Sequence, residues 1–182
     1  GDDSNQNNSG FSIAPGAGGN TAIERVFPKF RFKSTVFIVS CIQIALFIIT
    51  EVIAAVSKSK NKTHEQEFAC VLYRFGAKFS PTIIVYHQFQ RLILPVFLHA
   101  GLSHVAFNMF SQNMYGHLLE DYYGRAKFIL IYLVAGVGGN LLSAVWLTKS
   151  LSVGASSALF GLFALNVAYI IENYEKFGNR KN

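Results

Sequence analysis

Three polar side chains, Ser156, His104 and Asn108, have the types and spacing needed to hydrolyse an amide bond. Ser156 follows a Gly/Ser-rich turn and opens an apolar run that lasts to Ile171. A serine in this place can be a helix cap that accepts the free amide hydrogens of the helix N-terminus. It can also be a nucleophile, because the positive end of a helix favours a developing oxyanion.

His104 and Asn108 are four residues apart, so they share one face of a predicted helix. They lie in its first turns, and Ser156 lies at the start of a later helix that begins on the same side. We therefore expect all three residues at a similar depth. Asn108, His104 and the Ser156 amide could donate to an oxyanion. A clear base is missing, since one histidine can hardly be both donor and base.

The composition is that of a polytopic membrane protein, with 51% hydrophobic residues, 14% charged residues and 17 phenylalanines. The net charge of +6 is interpreted as membrane-flanking, and no basic cluster suggests a nucleic-acid partner. Cys41 and Cys70 are too few for a disulfide framework and lack metal-ligand spacing. No metal or cofactor is expected.

The hydrophobic pattern predicts an all-α protein with a polar tail and a membrane domain. Residues 1–33 are predicted to be a disordered polar tail with a basic juxtamembrane stretch, and 34–182 the membrane domain. The predicted spans are 35–56, 103–119, 128–147 and 156–171. Residues 57–91 are predicted to be a long polar connection, and 92–102, which contains Pro95, an interfacial or re-entrant segment. The distribution of lysine and arginine favours a cytoplasmic N-terminus.

Residues from about Phe89 to Gly161 resemble the rhomboid family of intramembrane serine proteases. The resemblance rests on the HxxxN pair and the GxS motif, each of which opens a hydrophobic segment. The matching residues are Gln90-Arg91-Leu92, His99 to Met109, the Glu120 region, Gly136 to Asn140, Gly154-Ala155-Ser156, and Ala158 to Gly161.

This resemblance implies a rhomboid-like bundle of at least six transmembrane helices, of which four are expected here. It also implies that Ser156 is the nucleophile, that His104 and Asn108 lie on the oxyanion side, and that Gly154 belongs to the serine loop. His99 is expected to organise the first loop. The implied substrates are transmembrane proteins, cleaved in or near their membrane segments within the lipid bilayer.

The sequence departs from the family pattern at two places. The glycine after the nucleophile is Ser157 here, although Ser157 and Gly161 keep the small-xxx-small spacing that allows close helix packing. The Glu-Arg pair that often follows the second helix is Glu120-Asp121.

The expected base is also absent from these residues. The family uses a Ser-His dyad, with the histidine on its sixth helix, and none of the five histidines of this chain follows Ser156. We therefore expect the chain to be a fragment whose partner histidine lies beyond Asn182.

The sequence predicts an intramembrane serine endopeptidase in its complete form. One alternative is a catalytically inactive rhomboid-like protein that binds transmembrane clients. Another is a small channel or transporter that uses the polar face of the second helix.

Overall fold

A computed structural model describes residues 22–27, 29–57 and 61–174. Two 3-10 turns, Phe89–Leu92 and Leu94–Phe97, precede the fifth α-helix. The α-helices of the described residues are α1 (Ala22–Val26), α2 (Thr35–Val56), α3 (His64–Arg74), α4 (Ser80–Tyr86), α5 (Leu102–Tyr123), α6 (Arg125–Trp146) and α7 (Ser156–Glu172). The predicted all-α bundle is confirmed.

Each of the four predicted spans contains one long helix, namely α2, α5, α6 or α7. Among the described residues, α2 and α6 are long and apolar enough to cross a membrane by length and composition. Both present exposed aliphatic side chains, such as Ile48 on α2 and Leu130 on α6. The helix α7 is apolar but shorter, at 17 residues. The helix α5 has 22 residues and carries the polar face predicted from the sequence.

The predicted tail lies mostly outside the described residues, since 1–21 are not among them. The described part begins with the short helix α1. It continues with Lys29 and Arg31, whose side chains lie 3.5 and 3.7 Å from the carboxylate of Asp121 at the end of α5. This basic stretch therefore contacts the helical bundle.

The segment predicted as a long polar connection, 57–91, contains the helices α3 and α4, which the sequence analysis did not predict. Thr63 and Gln66 form a capping box that starts α3. Phe68, Val71 and Leu72 then bury one face of α3 in the same apolar cluster as Phe47 of α2. The helix is amphipathic, and its apolar stripe was not recognised in the sequence because charged residues are interspersed with the apolar ones.

Glu120 holds the start of α2 against the end of α5. Its carboxylate accepts hydrogen bonds from the backbone amides of Thr35 and Val36, both at 3.0 Å. These amides belong to the first turn, which has no intrahelical acceptors, so a carboxylate there satisfies both the donors and the helix dipole. Arg125 lies 3.4 Å from Glu120. The glutamate therefore has an arginine partner, although this arginine is five residues further along the chain and does not directly follow Glu120 as in the Glu-Arg pair.

A buried polar network joins α2, α5 and α6. Gln43 donates to the carbonyl of Val96 at 3.0 Å and to the hydroxyl of Tyr132 at 2.9 Å. Tyr132 donates to Gln112 at 2.6 Å, and Gln112 donates back to Gln43 at 2.9 Å. Because these groups satisfy one another, the polar face of α5 points into the bundle, as predicted.

Candidate active site

Ser156 is the first residue of α7 and is exposed. The residue before it, Ala155, occupies the cap position, and no side chain caps this helix. The interpretation of Ser156 as a helix cap is therefore wrong. Within the described residues the Ser156 hydroxyl does not cap this helix, and the first amides of α7 have no acceptor within their own helix.

Ser156 lines a cavity of about 320 Å³ between α5 and α7. The other lining residues are Ser111 and Tyr115 of α5, and Leu159, Phe160 and Phe163 of α7. The cavity is mainly apolar, with hydroxyl groups on its wall. A serine at the edge of such a cavity can meet both water and an apolar chain segment.

Gly154 brings the serine loop against the first turn of α5. Its φ of +126° is a conformation that residues with a side chain rarely adopt, and a Cβ there would lie 2.7 Å from the Cε1 and Nε2 atoms of His104. Its amide donates to the carbonyl of Pro95 at 2.8 Å. The imidazole of His104 therefore packs on the loop two residues before Ser156.

Asn108 lies one turn further along α5 and is buried. Its side-chain amide donates to the carbonyl of His104 at 2.8 Å, which uses one of its two N–H groups. In the described part of the chain, no hydrogen bond joins Ser156 to His104 or Asn108. The structure therefore places His104 against the serine loop and Asn108 one helical turn further along α5.

His99 is fully buried beside His104, with 5.3 Å between the ring centroids. Neither of its ring nitrogens has a hydrogen-bond partner within the described residues. Burial, together with the neighbouring His104, lowers the pKa of His99 to about 4, so its imidazole is neutral at pH 7. His99 lies two residues after the 3-10 turn Leu94–Phe97, in which the carbonyl of Pro95 accepts the Gly154 amide.

Ser157 packs against α6. A Cβ at Gly139 would overlap the Cβ and Oγ of Ser157, and a Cβ at Gly161 would overlap the side chain of Ala135. The predicted close packing at Ser157 and Gly161 is confirmed. The extra bulk of Ser157 is accommodated because Gly139 lies opposite it.

The sequence reasoning missed Ser111, Tyr115 and Lys78. Ser111 and Tyr115 continue the helical spacing of His104 and Asn108, so the periodicity of α5 could have indicated them. Lys78 is one of four lysines in the predicted polar connection 57–91, and no local signal marks it. Within residues 22–27, 29–57 and 61–174, no group of three or more metal-ligating side chains is present.

The described residues form an all-α bundle with two helices long and apolar enough to cross a membrane, and a histidine packs on the loop that precedes a serine at a helix start. Residues 86–181 match the family model described as the rhomboid domain. The chain belongs to the rhomboid family.

Several curated proteins are similar to the chain. Rhomboid-like protease 1 of Toxoplasma gondii is 36% identical over 159 residues, which cover 87% of this chain and 52% of that protein. RHOMBOID-like protein 6, mitochondrial, of Arabidopsis thaliana is 40% identical over 57% of this chain and 34% of that protein. Rhomboid protease GluP of Bacillus subtilis is 37% identical over 58% of this chain and 20% of that protein. The chain thus spans about half, or less, of the length of these relatives.

Proposed function

We propose that the full-length protein is an intramembrane serine endopeptidase that hydrolyses peptide bonds in or near transmembrane segments of other proteins. The observation that carries this proposal is the packing of His104 on Gly154, two residues before the exposed Ser156. The similarity to proteins named as rhomboid proteases supports it.

Ser156 is the proposed nucleophile. Its Oγ attacks the carbonyl carbon of a peptide bond, and the negative charge develops on the carbonyl oxygen. The amide of Ser156, the free N–H of Asn108 and a ring N–H of His104 are the proposed donors to that oxygen. The N-terminus of α7 adds a favourable dipole at the same place.

The proposed base is a histidine of the full-length protein that is not among these 182 residues. All five histidines of the chain precede Ser156, and the family resemblance implies a dyad partner on a later helix. That histidine takes the Ser156 proton during attack and gives it to the leaving amine. Water in the cavity then hydrolyses the acyl-enzyme.

The proposed substrates are transmembrane proteins in the same lipid bilayer. A helical peptide in lipid has its backbone groups paired, so a substrate segment must unwind before Ser156 can reach a carbonyl. Helix-breaking residues near the membrane surface would lower that cost. The proposed orientation has a cytoplasmic N-terminus and a site that opens on the opposite side.

The alternative is an inactive relative that binds transmembrane clients without cleaving them. Ser157 in place of the motif glycine and the aromatic wall of the cavity, with Phe160 and Phe163, are compatible with this function.

A cleavage assay in proteoliposomes separates the two functions. The full-length protein is reconstituted with a single-span reporter protein, and cleavage is followed by gel electrophoresis. We expect cleavage by the wild type and its loss in Ser156→Ala. Ser111→Ala is the control, because Ser111 is a second serine on the same cavity wall, and this variant should retain cleavage. Reporter that co-purifies uncut with the wild type would favour the client-binding alternative.

A further inference from the structure

Lys78 is a fully buried lysine between α3 and α4. Its ammonium nitrogen lies 3.3 Å from the carbonyl oxygen of Ser143, 2.9 Å from that of Leu147 and 3.2 Å from that of Ser150. The hydroxyl oxygen of Ser150 is 3.4 Å away. All these acceptors belong to the end of α6 or to the connection that follows it.

The end of α6 favours such a donor, in addition to the backbone amides of Leu147 and Ser150 that the carbonyls of Ser143 and Leu147 accept at 2.8 and 3.3 Å. The last carbonyls of a helix have no intrahelical partners and carry the negative end of the dipole. No basic residue lies in the last turn of α6 itself, so the cation comes from another part of the chain. The hydroxyl of Ser80 adds a second donor, to the carbonyl of Ala144 at 2.8 Å.

The backbone of Lys78 holds the same connection at a second point. Its amide donates to the carbonyl of Ser152 at 2.9 Å, and the amide of Ser152 donates to the carbonyl of Lys78 at 3.0 Å. Ser152 lies two residues before Gly154 and four before Ser156. The side chain of Lys78 therefore fixes the start of the connection 147–155, and its backbone fixes the middle.

We infer that Lys78 is a positioning residue that holds the connection 147–155, and through it the Ser156 hydroxyl, in its working place. This inference rests on the proposed function of Ser156 as a nucleophile. Lys78 is not among the residues that line the cavity of Ser156, so its proposed effect acts through the loop.

A charged group is suited to this role because it can bind several carbonyls at once. Burial lowers the pKa of the Lys78 ammonium, and hydrogen bonds from the charged form oppose that effect. Among the described residues the ammonium has carbonyl and hydroxyl partners and no carboxylate partner. Removing it leaves the end of α6 without these donors, while the backbone pairing with Ser152 can persist.

The test is amide hydrogen exchange of the full-length protein in lipid nanodiscs, read by mass spectrometry. In Lys78→Met we expect peptides from residues 148–155 to exchange about tenfold faster or more, since charge-assisted hydrogen bonds are lost. Peptides from α2 should keep their wild-type rates. The matched control is Lys149→Met, which removes an exposed lysine from the same connection and should leave the exchange unchanged.

A second variant guards against a folding failure of Lys78→Met. Lys78→Gln keeps an N–H donor without the charge and should give an intermediate exchange rate at 148–155. Wild-type protection of 148–155 in either folded variant, or an equal change in Lys149→Met, would overturn the role of Lys78.

The catalytic readout separates positioning from general stability. Per folded molecule, Lys78→Met should lower kcat for the reporter about tenfold or more with little change in KM, because a displaced nucleophile affects the chemical step. An unchanged kcat in a variant whose 148–155 exchange is faster would overturn the link to Ser156. A wild type that never cleaves would refute the proposed function, and the exchange rates would still decide whether Lys78 anchors the loop.

Discussion

The imidazole of His104 fills the space that a side chain at Gly154 would occupy, so α5 and the loop before Ser156 are in direct contact. A residue other than glycine would face two penalties here, the contact with His104 and the φ of +126°. The HxxxN and GxS motifs are thus in contact, and this contact is possible because Gly154 has no Cβ.

Gly154→Ala should therefore disturb the site. We expect a loss of about 1–3 kcal/mol in the free energy of unfolding and a fall in reporter cleavage of at least about tenfold. The control is Gly138→Ala, because a Cβ at Gly138 meets no atom within 4 Å. Equal behaviour of the two variants in thermal unfolding and cleavage would contradict the importance of the contact.

Asn108→Ala should slow catalysis more than it weakens the fold. Loss of one oxyanion donor typically lowers kcat about 10²- to 10³-fold. Asn113 is a suitable control, since it makes the same bond to the carbonyl four residues back, with 2.8 Å to Met109. Asn113→Ala should leave kcat nearly unchanged. Cleavage by Asn108→Ala at the wild-type rate would remove Asn108 from the oxyanion role.

Gly139 and Ser157 should show strong energetic coupling. Gly139→Ala forces a methyl group into Ser157 and should cost about 1–3 kcal/mol of stability. Ser157→Gly makes room for that methyl, so the double variant should recover about 1 kcal/mol or more, measured by a double-mutant cycle of thermal unfolding. Additive effects of the two substitutions would show that Ser157 and Gly139 do not share this space.

Glu120→Ala should destabilise the bundle. It leaves two amides of the first turn of α2 without their acceptor and removes the partner of Arg125. We expect a loss of about 2–4 kcal/mol. Asp121→Ala is the control, because this neighbouring carboxylate is exposed and pairs with Lys29 and Arg31 at the surface. Its effect should stay below about 1 kcal/mol.

Much of the fold follows from the sequence because long apolar runs and their polar interruptions are local signals. The long helices α2, α6 and α7 and the inward polar face of α5 are predictable for that reason. The amphipathic helix α3 was missed, because four charged or ionisable residues, His64, Glu65, Glu67 and Arg74, dominate its composition.

Only those residues of the candidate site that belong to a motif could be predicted from the sequence. Ser156, His104 and Asn108 share a motif pattern, whereas Lys78 contacts the end of α6 and the connection after it, 65 to 72 residues away in sequence. Contacts over such long sequence separations leave no periodicity in one sequence. The geometry of the helix start also cannot be seen in the sequence, since only the three-dimensional structure shows that Ala155, and not Ser156, occupies the cap position.

Ser156 is proposed to be an activated nucleophile in the full-length protein. The most direct measurement is peptide mapping by mass spectrometry after reaction with a fluorophosphonate probe in proteoliposomes. We expect a covalent adduct on Ser156 that is absent in Ser156→Ala and unchanged in Ser111→Ala. A wild-type protein that cleaves the reporter but carries the adduct on another serine, or that remains unlabelled, would contradict it.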